Sequence, residues 1–299
     1  RISNFTLDME RVPAFIMVSK EREVIYMNIK RIFCDMDGTL LNSKGQVSER
    51  NATLIREAKV PITLVSARAP MEMKDAINAL QLNGIQVAFN GGLIYRIGDD
   101  NNKIIPIHTQ IIKKSTVNQL LKGIRQHFPQ VSLSYYDLNN WYCDKIDEGI
   151  RYEHSLTQQT PTFIHNEEQF LEGQINTFKI MMITFDEANM IELEKYLQSM
   201  DLPEITIQRS GKAYLEITHA LAKKSKGIAY ILRKDELLRE ETAAFGDGHN
   251  DLPMLEMVGY PIVMDNAFDD IKAIAYKITK SNDEDGVGYG IQKFLKGAL

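Results

Sequence analysis

Short apolar runs of strand length alternate with amphipathic helical patterns in the first part of this chain. The runs Arg31–Cys34, 62–65 and 87–89 are strand-sized, and helical spacing of apolar residues separates them at 48–58 and 71–82. Strand–helix–strand order of this kind is typical of a parallel sheet whose strands are joined by helical crossovers. The sequence therefore predicts an α/β fold in which ligands bind beyond the carboxyl ends of the strands.

The middle of the chain has a different pattern. Two pairs of short strands flank Asp/Asn turns and indicate hairpins. These pairs are Leu93–Ile97 with 104–107, and 131–136 with Trp141–Cys143. Strand and helix then alternate again from a predicted strand at 213–217. We therefore predict a core formed by residues 27–107 and 210–299, which is interrupted by a second α/β module at 108–209.

Composition limits the partners of the chain. Its 299 residues carry 35 basic and 40 acidic side chains, a formal charge of −5, and 44% of them are hydrophobic. A mild acidic excess argues against a nucleic-acid partner, because phosphate backbones are usually met by a clear excess of Lys and Arg. The longest apolar runs are of strand length, so no membrane partner is expected. Cys34 and Cys143 are too few for a disulfide framework, which predicts a reducing, cytoplasmic setting. We expect a monomer or a small homo-oligomer.

Residues 1–26 differ in character from the rest of the chain. They contain one short apolar run, 12–18, which includes Pro13 and is closely flanked by charges, so they do not resemble a signal peptide. Met27 is followed by Asn28-Ile29-Lys30 and then by the first predicted strand. One hypothesis is that Met27 is the natural start and 1–26 a translated leader; the alternative is an N-terminal arm that packs on the body.

Two carboxylates stand just beyond the first predicted strand. Asp35 and Asp37 follow it directly and precede Gly38 and Thr39. A carboxylate can attack phosphorus, and a neighbouring carboxyl group can protonate the leaving oxygen and later deprotonate water. Clustered carboxylates also suit Mg²⁺, which prefers oxygen ligands. Taken alone, the Asp-x-Asp pattern favours a bare surface turn or a calcium loop, so the remaining segments decide its interpretation.

Three further segments supply groups suited to a phosphoryl site. Ser66 follows the second predicted strand, where its hydroxyl can hold phosphate oxygens, although such a serine can also simply cap a helix. Lys226 lies at a predicted helix start, where an ammonium group can offset phosphate charge. The loop 246–251 follows another buried strand and carries Asp247, Asn250 and Asp251.

Together these segments resemble the haloacid dehalogenase (HAD) superfamily of phosphotransferases. The motif Asp-x-Asp-x-Thr is complete at 35–39, Ser66 matches the second motif, a lysine the third, and Gly-Asp-x-x-x-Asp the fourth at 246–251. Further stretches indicate the Cof-like subfamily with a type IIB cap. They are 90–92, Tyr214–Thr218 in the pattern Tyr-Leu-Glu-Ile-Thr, 246–254, 264–267 and 279–287. The resemblance covers nearly all of 29–299 and implies a doubly wound, Rossmann-like parallel-sheet core with an inserted α/β (type C2B) cap.

The resemblance also implies roles for individual residues. Asp35 would be the nucleophile and a magnesium ligand, and Asp37 the general acid and base, with its backbone carbonyl on the metal. Asp247 would bind magnesium and Asp251 would support it directly or through water. The residues implied in phosphate binding are Ser66, Lys226, Asn250, Gly38 and Thr39. The cofactor implied is Mg²⁺.

Two features depart from the family pattern. The second motif usually reads Thr-Gly-Arg and here reads Ser66-Ala67-Arg68. The spacing from Glu216 to Lys226 is about two residues longer than the subfamily leads us to expect. Lys224 stands at the usual spacing, whereas Lys226 keeps the usual Lys-Gly pair; we favour Lys226.

The insert would close over the site, exclude water and contact the leaving group. Candidates for substrate contact are Asn90, Gly91, Arg68 and Lys179. The sequence favours a Mg²⁺-dependent phosphatase acting on a small phosphorylated metabolite, with sugar phosphates leading and flavin mononucleotide or pyridoxal phosphate possible. A phosphohexomutase of the same fold and a non-catalytic phosphosugar-binding regulator are the alternatives.

Overall fold

The computed structural model describes residues 28–100 and 103–295. The hypothesis of a leader at 1–26 ending before Met27 therefore lies outside the described residues. Among the residues described, no helix combines the length and the apolar character needed to cross a membrane.

The described residues form strands and helices in the following order along the chain. The strands are β1 (Arg31–Cys34), β2 (Ile62–Leu64), β3 (Gln86–Ala88), β4 (Leu93–Ile97), β5 (Ile104–Thr109), β6 (Ser132–Tyr136), β7 (Trp141–Cys143), β8 (Thr162–Phe163), β9 (Lys179–Ile183), β10 (Ile205–Ser210), β11 (Tyr214–His219), β12 (Thr242–Gly246), β13 (Tyr260–Val263) and β14 (Lys277–Ile278). The α-helices are α1 (Glu49–Glu57), α2 (Pro70–Ala79), α3 (Lys114–His127), α4 (Glu148–Thr157), α5 (Glu167–Glu172), α6 (Glu187–Ser199), α7 (Lys224–Lys234), α8 (Leu252–Leu255), α9 (Asp269–Lys272) and α10 (Gly286–Gly290).

A five-stranded parallel sheet forms the core, in the order β14-β13-β12-β1-β2. Residues of its two faces belong to different apolar clusters. Ile32 and Phe245 pack with α1 and α2, whereas Phe33 and Val263 pack with α7 and α8. Helices thus cover both faces, which confirms the predicted doubly wound sheet and explains why its strands read as continuous apolar runs.

The third predicted strand is only bridged to this sheet. One parallel bridge joins Val65 to Val87, and the amide of Ser66 donates to the carbonyl of Val87 at 3.0 Å. From there β3 pairs antiparallel with β4, and β4 with β5. The predicted hairpin of β4 and β5 is confirmed, and it extends the core beyond β2.

The second module is a six-stranded sheet in the order β10-β11-β9-β6-β7-β8. The strand predicted at 213–217 as the return of the core is β11, and it pairs antiparallel with both β10 and β9. The predicted division between 209 and 210 therefore cuts through a hairpin of this sheet. A tight turn at Gly211 joins β10 to β11, so the two strands pair with each other and belong to one sheet.

The two faces of this sheet have different surroundings. Ile180 and Met182 of β9 pack against α3 and α6, which form the module's own apolar cluster. Met181 and Ile183, which alternate with them, join the cluster of the core instead. Because side chains alternate along a strand, one face of the sheet supports the module and the other looks towards the core.

Candidate active site

The carboxyl ends of two adjacent core strands bring Asp35 and Asp247 together. β1 and β12 run parallel, and the amide of Asp35 donates to the carbonyl of Phe245 at 3.0 Å. Gly38 makes the approach possible: its φ is +76°, and a Cβ there would lie 2.4 Å from Oδ2 of Asp247. A larger residue at 38 would push this carboxylate out of place.

Three carboxylates form a cluster at this edge. One ligand oxygen from each of Asp35, Asp247 and Asp251 lies within 4.8 Å of the others. Oδ2 of Asp251 accepts hydrogen bonds from the amides of Asp247 and Gly248, both at 3.0 Å, and Thr39 donates from Oγ1 to Asp247 Oδ1 at 2.7 Å. Three of the four residues predicted to hold the metal thus lie together. An all-oxygen donor set of this kind fits a hard divalent cation.

The acids perturb one another in a way that calls for a cation. Burial raises the pKa of Asp35 well above its usual value, and the charge of Asp251 raises it further, while Lys224 opposes both. Burial also raises the pKa of Asp247 to about 6, partly offset by the hydroxyl of Thr39. Buried like charges favour protonation, so a positive charge beside Asp35 and Asp247 would favour their ionised forms.

Lys224, not Lys226, supplies a positive charge inside the site. Its Nζ donates to Asp35 Oδ1 at 2.5 Å and to Asp251 Oδ1 at 2.7 Å, and the residue is 2% exposed. Burial would lower the pKa of Lys224, but Asp251 and Asp35 raise it above its usual value. Lys226 is exposed, so its prediction as the site lysine is corrected to Lys224.

Helix phase explains the correction. α7 buries Ile228 and Ile231, and Lys224 stands four and seven positions before them on the same face. Lys226 lies two positions before Ile228, which turns it to the other side of the helix. The Lys-Gly pair is misleading because Gly227 serves packing: a Cβ there would lie 2.8 Å from Val87.

The turn after β3 positions the start of α7. Gly91 has a φ of +101°, and a Cβ on it would lie 2.1 Å from the carbonyl oxygen of Lys223. Only glycine lets the two backbones pass this closely, and the residue after Lys223 is the site lysine.

The amide of Asn90 donates to the carbonyl of Ser66 at 2.8 Å, and the side chain of Asn90 approaches Gln208 of the second module at 3.5 Å. Substrate contact by Asn90 or Gly91 stays a prediction.

Ser66 follows β2 at the same edge and is 1% exposed. Its Oγ accepts the amide hydrogen of Arg68 at 3.1 Å, so the hydroxyl hydrogen is free to point towards a ligand. Asn250 lies in the short turn between β12 and α8, next to Asp251. Phosphate binding by these two residues and by the Gly38–Thr39 loop stays a prediction.

Asp37 is held by an arginine in this arrangement. Arg68 donates from Nε to Oδ2 at 2.8 Å and from Nη2 to Oδ1 at 2.7 Å, a two-point ion pair. Partial loss of hydration would raise the pKa of Asp37, but the hydrogen bonds and charge of Arg68 hold it below its usual value. The side chain of Asp37 is therefore outside the three-acid cluster, and whether its carbonyl binds metal stays a prediction.

A cavity of about 210 Å³ opens between the core and the second module, beside Asp37 and Arg68. Lys179 lines it and is 3% exposed; its Nζ lies 3.3 Å from the carbonyl of Ala67 and 3.4 Å from Glu216 Oε1. The structure thus places Lys179 at the cleft, as predicted from its position at a strand start. We call this space the cap cavity.

Sequence reasoning missed three acids of the cap cavity, Glu72, Glu153 and Glu216. The hydroxyl of Tyr214 donates to Glu153 Oε2 at 2.6 Å. Burial, and then the charge of Glu72, raises the pKa of Glu153 to about 7. Strand alternation offered a signal for Glu216, because Leu215 and Ile217 on β11 face the apolar cluster and leave Tyr214 and Glu216 on the opposite side.

Comparison with known proteins gives one consistent picture. The family model for haloacid dehalogenase-like hydrolases matches residues 32–291. A Haemophilus influenzae protein named "Putative phosphatase" is 30% identical over 265 residues, which cover 87% of this chain and 96% of the relative. The 5-amino-6-(5-phospho-D-ribitylamino)uracil phosphatase YwtE of Bacillus subtilis is 26% identical over 289 residues, covering 90% and 99% of the two chains.

Solved structures share the fold. A haloacid dehalogenase-like hydrolase from Bacteroides thetaiotaomicron superposes with a TM-score of 0.79 at 28% identity, covering 89% of this chain and 99% of the other. A HAD subclass IIB sugar phosphatase superposes with a TM-score of 0.72 over 89% of this chain and 99% of the other. At 20% identity the second likeness concerns the fold alone. It agrees with a core sheet and a cap of the predicted type.

Proposed function

The chain belongs to the haloacid dehalogenase-like hydrolases, in their Cof-like group, and is a phosphatase of that family; we propose that it hydrolyses a small phosphorylated metabolite, with a sugar phosphate favoured, through an aspartyl-phosphate on Asp35. The observation that carries this proposal is the pairing of Lys224 with Asp35 inside a buried cluster of carboxylates. A buried ammonium group orients the nucleophile and leaves its other oxygen available for attack.

In the first step, Asp35 forms a bond to phosphorus while the bond from phosphorus to the ester oxygen breaks. Asp37 gives its proton to the departing oxygen. Charge on the phosphoryl oxygens would be offset by Lys224 and by the hydroxyl of Ser66, both held at the same edge of the sheet. In the second step, water attacks phosphorus, Asp37 takes a proton from that water, and the bond to Asp35 breaks to release inorganic phosphate.

The ion pair between Asp37 and Arg68 indicates a resting arrangement. Arg68 keeps Asp37 ionised, and an ionised carboxylate cannot donate a proton. A bound substrate would therefore displace Arg68 from Asp37, and Asp37 would then take up a proton from solvent before the first step. Arg68 would then be free to bind a phosphoryl oxygen, as predicted for a substrate contact.

We propose Mg²⁺ as the cofactor, with Asp35 and Asp247 as ligands and Asp251 holding the loop of Asp247 in place. Asp251 suits a supporting role because its oxygens accept from two backbone amides and from Lys224. When bound, the ion would offset the charge of the clustered acids and of phosphate. Asp247 has one hydrogen bond from Thr39 and so retains acceptor capacity for a ligand role.

We also propose a revised domain organisation and a cellular setting. The cap would be residues 110–219, so that β5 stays with β4 and β11 with the cap sheet, and the core would be 27–109 together with 220–299. Cys34 and Cys143 are both buried and unpaired, which supports the cytoplasm as the setting. The partner is a small phosphorylated metabolite.

The test is phosphate release from a panel of phosphorylated metabolites in the presence of Mg²⁺. Wild type should release phosphate, Asp35→Asn should not, and the exposed control Asp99→Asn should match wild type. Wild-type rates in Asp35→Asn would refute the covalent mechanism. Transfer of phosphate back to a sugar, with a requirement for a bisphosphorylated sugar, would indicate the mutase instead.

A further inference from the structure

The cap cavity is where the leaving group must lie if the proposed function holds. Asp37, the proposed proton donor to the leaving oxygen, lines this cavity together with Arg68. A group attached to that oxygen therefore extends away from Asp35 into the space beyond Asp37. Side chains on the far walls of the cavity then contact the leaving group and not the phosphoryl group.

Negative charge predominates on these walls. Among the described residues, four carboxyl groups and two cations line the cavity. Both cations are engaged: Lys179 pairs with Glu216, and Arg68 pairs with Asp37 before substrate binds and with the phosphoryl group in the proposed complex. Neither of these two ion pairs includes Glu72 of the core or Glu153 of the cap. The walls thus present carboxylate oxygens, which accept hydrogen bonds from hydroxyl and ammonium groups.

From this juxtaposition we infer that the leaving group is a small polyol, neutral or bearing an amine, and that the cavity rejects leaving groups with a second anionic group. A carboxylate or a second phosphate would meet Glu72, Glu216 and the ionised form of Glu153 in a partly enclosed cleft, where like charges repel more strongly than in bulk water. The cavity volume of about 210 Å³ is below the usual range for ligand pockets, which suits a leaving group of about the size of a sugar.

Glu216 sets this selectivity through Lys179. The Lys179 ammonium group is buried against Glu216 and over the ring of Tyr136, with Nζ 4.8 Å from the ring centroid. Glutamine at 216 would remove one acid and release a cation that could pair with an anionic leaving group. The charge of the walls would therefore shift by one unit towards acceptance of acids without a change in side-chain size.

The test compares three esters that carry phosphate at the same position: glucosamine 6-phosphate, glucose 6-phosphate and 6-phosphogluconate. For wild type we expect kcat/KM for the amine to equal or exceed that for the neutral sugar, and the acid to be at least about a hundredfold poorer. In Glu216→Gln the ratio of neutral to acid should fall about tenfold. Glu153→Gln should lower it in the same direction, and Glu192→Gln, an exposed change on α6, should leave it unchanged.

The possible failures can be told apart, because each ratio is measured within one variant. Equal rates for the three esters, or a preference for 6-phosphogluconate, would overturn the inference while leaving the phosphatase in place. Hydrolysis of p-nitrophenyl phosphate with none of the three sugars would also overturn it. Absence of hydrolysis of all four esters would overturn the proposed function, and the inference with it.

Discussion

Replacing Glu153 with glutamine should make the stability of the protein less sensitive to pH. Glu153 is 7% exposed and shares the cap cavity with the acids Glu72 and Glu216, with Lys179 and with the hydroxyl of Tyr214. Burial, followed by the charge of Glu72, raises its pKa from 4.5 to about 7. The folded protein therefore holds this proton more tightly than the unfolded chain does. The wild type should lose stability as pH rises from about 4.5 through about 7.

The size of the effect follows from the two pKa values. Each tenfold change in proton affinity is worth about 1.4 kcal/mol, so the gap between 4.5 and 7 corresponds to about 3 kcal/mol of unfolding free energy. Glutamine has nearly the same shape, accepts the hydrogen bond of Tyr214 and does not ionise. The unfolding free energy of Glu153→Gln minus that of wild type should therefore increase by about 3 kcal/mol between pH 4.5 and pH 8.

Urea unfolding followed by circular dichroism at several pH values measures this difference. Glu192→Gln is the matched control because Glu192 is exposed on α6, and its difference from wild type should not change with pH in this way. Parallel pH profiles for wild type and Glu153→Gln would refute the reasoning. So would a difference that decreases with rising pH, which would mean that Glu153 is stabilised as a carboxylate in the folded state.

Three further outcomes are expected. Lys224→Met should lower kcat/KM at least about a hundredfold, because the buried carboxylates lose their cation. The exposed control Lys226→Met should stay near wild type. Equal losses for the two variants in a phosphate-release assay would contradict the assignment of Lys224. Arg125→Met should lower the unfolding free energy in urea by about 3–5 kcal/mol, because it leaves the buried Asp144 unpaired, while Arg209→Met at an exposed pair should change it little. A chelator should stop turnover and added Mg²⁺ should restore it, and turnover in chelator would overturn the metal site.

The core of the site could be predicted because it depends on one simple rule. Parallel strands end at the same edge, so residues that come directly after β1, β2 and β12 meet there whatever the loops do in detail. Asp35, Ser66 and Asp247 are placed by this rule, and all three lie at the predicted edge. Lys224 is different because it belongs to a helix, and its direction depends on helix phase. Phase is visible in the apolar pattern of α7, but a motif match to Lys-Gly ignores it.

The ion pair of Asp37 could not have been predicted from the sequence. Asp37 and Arg68 are 31 residues apart in loops after different strands, and nothing in their spacing says that one will turn towards the other. The expectation that Asp37 acts on the leaving oxygen concerns the complex with substrate. Loop side chains turn towards the strongest partner within reach, and here that partner is the guanidinium group.

Glu216 was overlooked because its strand was assigned to the wrong sheet. The pattern at 213–217 correctly predicts a strand, but the alternation of strand and helix after it favours the core sheet, which is the wrong sheet. Strands of the core sheet are buried on both faces, so a charged residue such as Glu216 would not fit in one of them. In the cap sheet, Leu215 and Ile217 face the apolar cluster, which forces Tyr214 and Glu216 to the face that looks towards the core. The polar face of β11 is thus itself evidence for a sheet with one open side, and its correct assignment would have placed the carboxylate of Glu216 in the cap cavity.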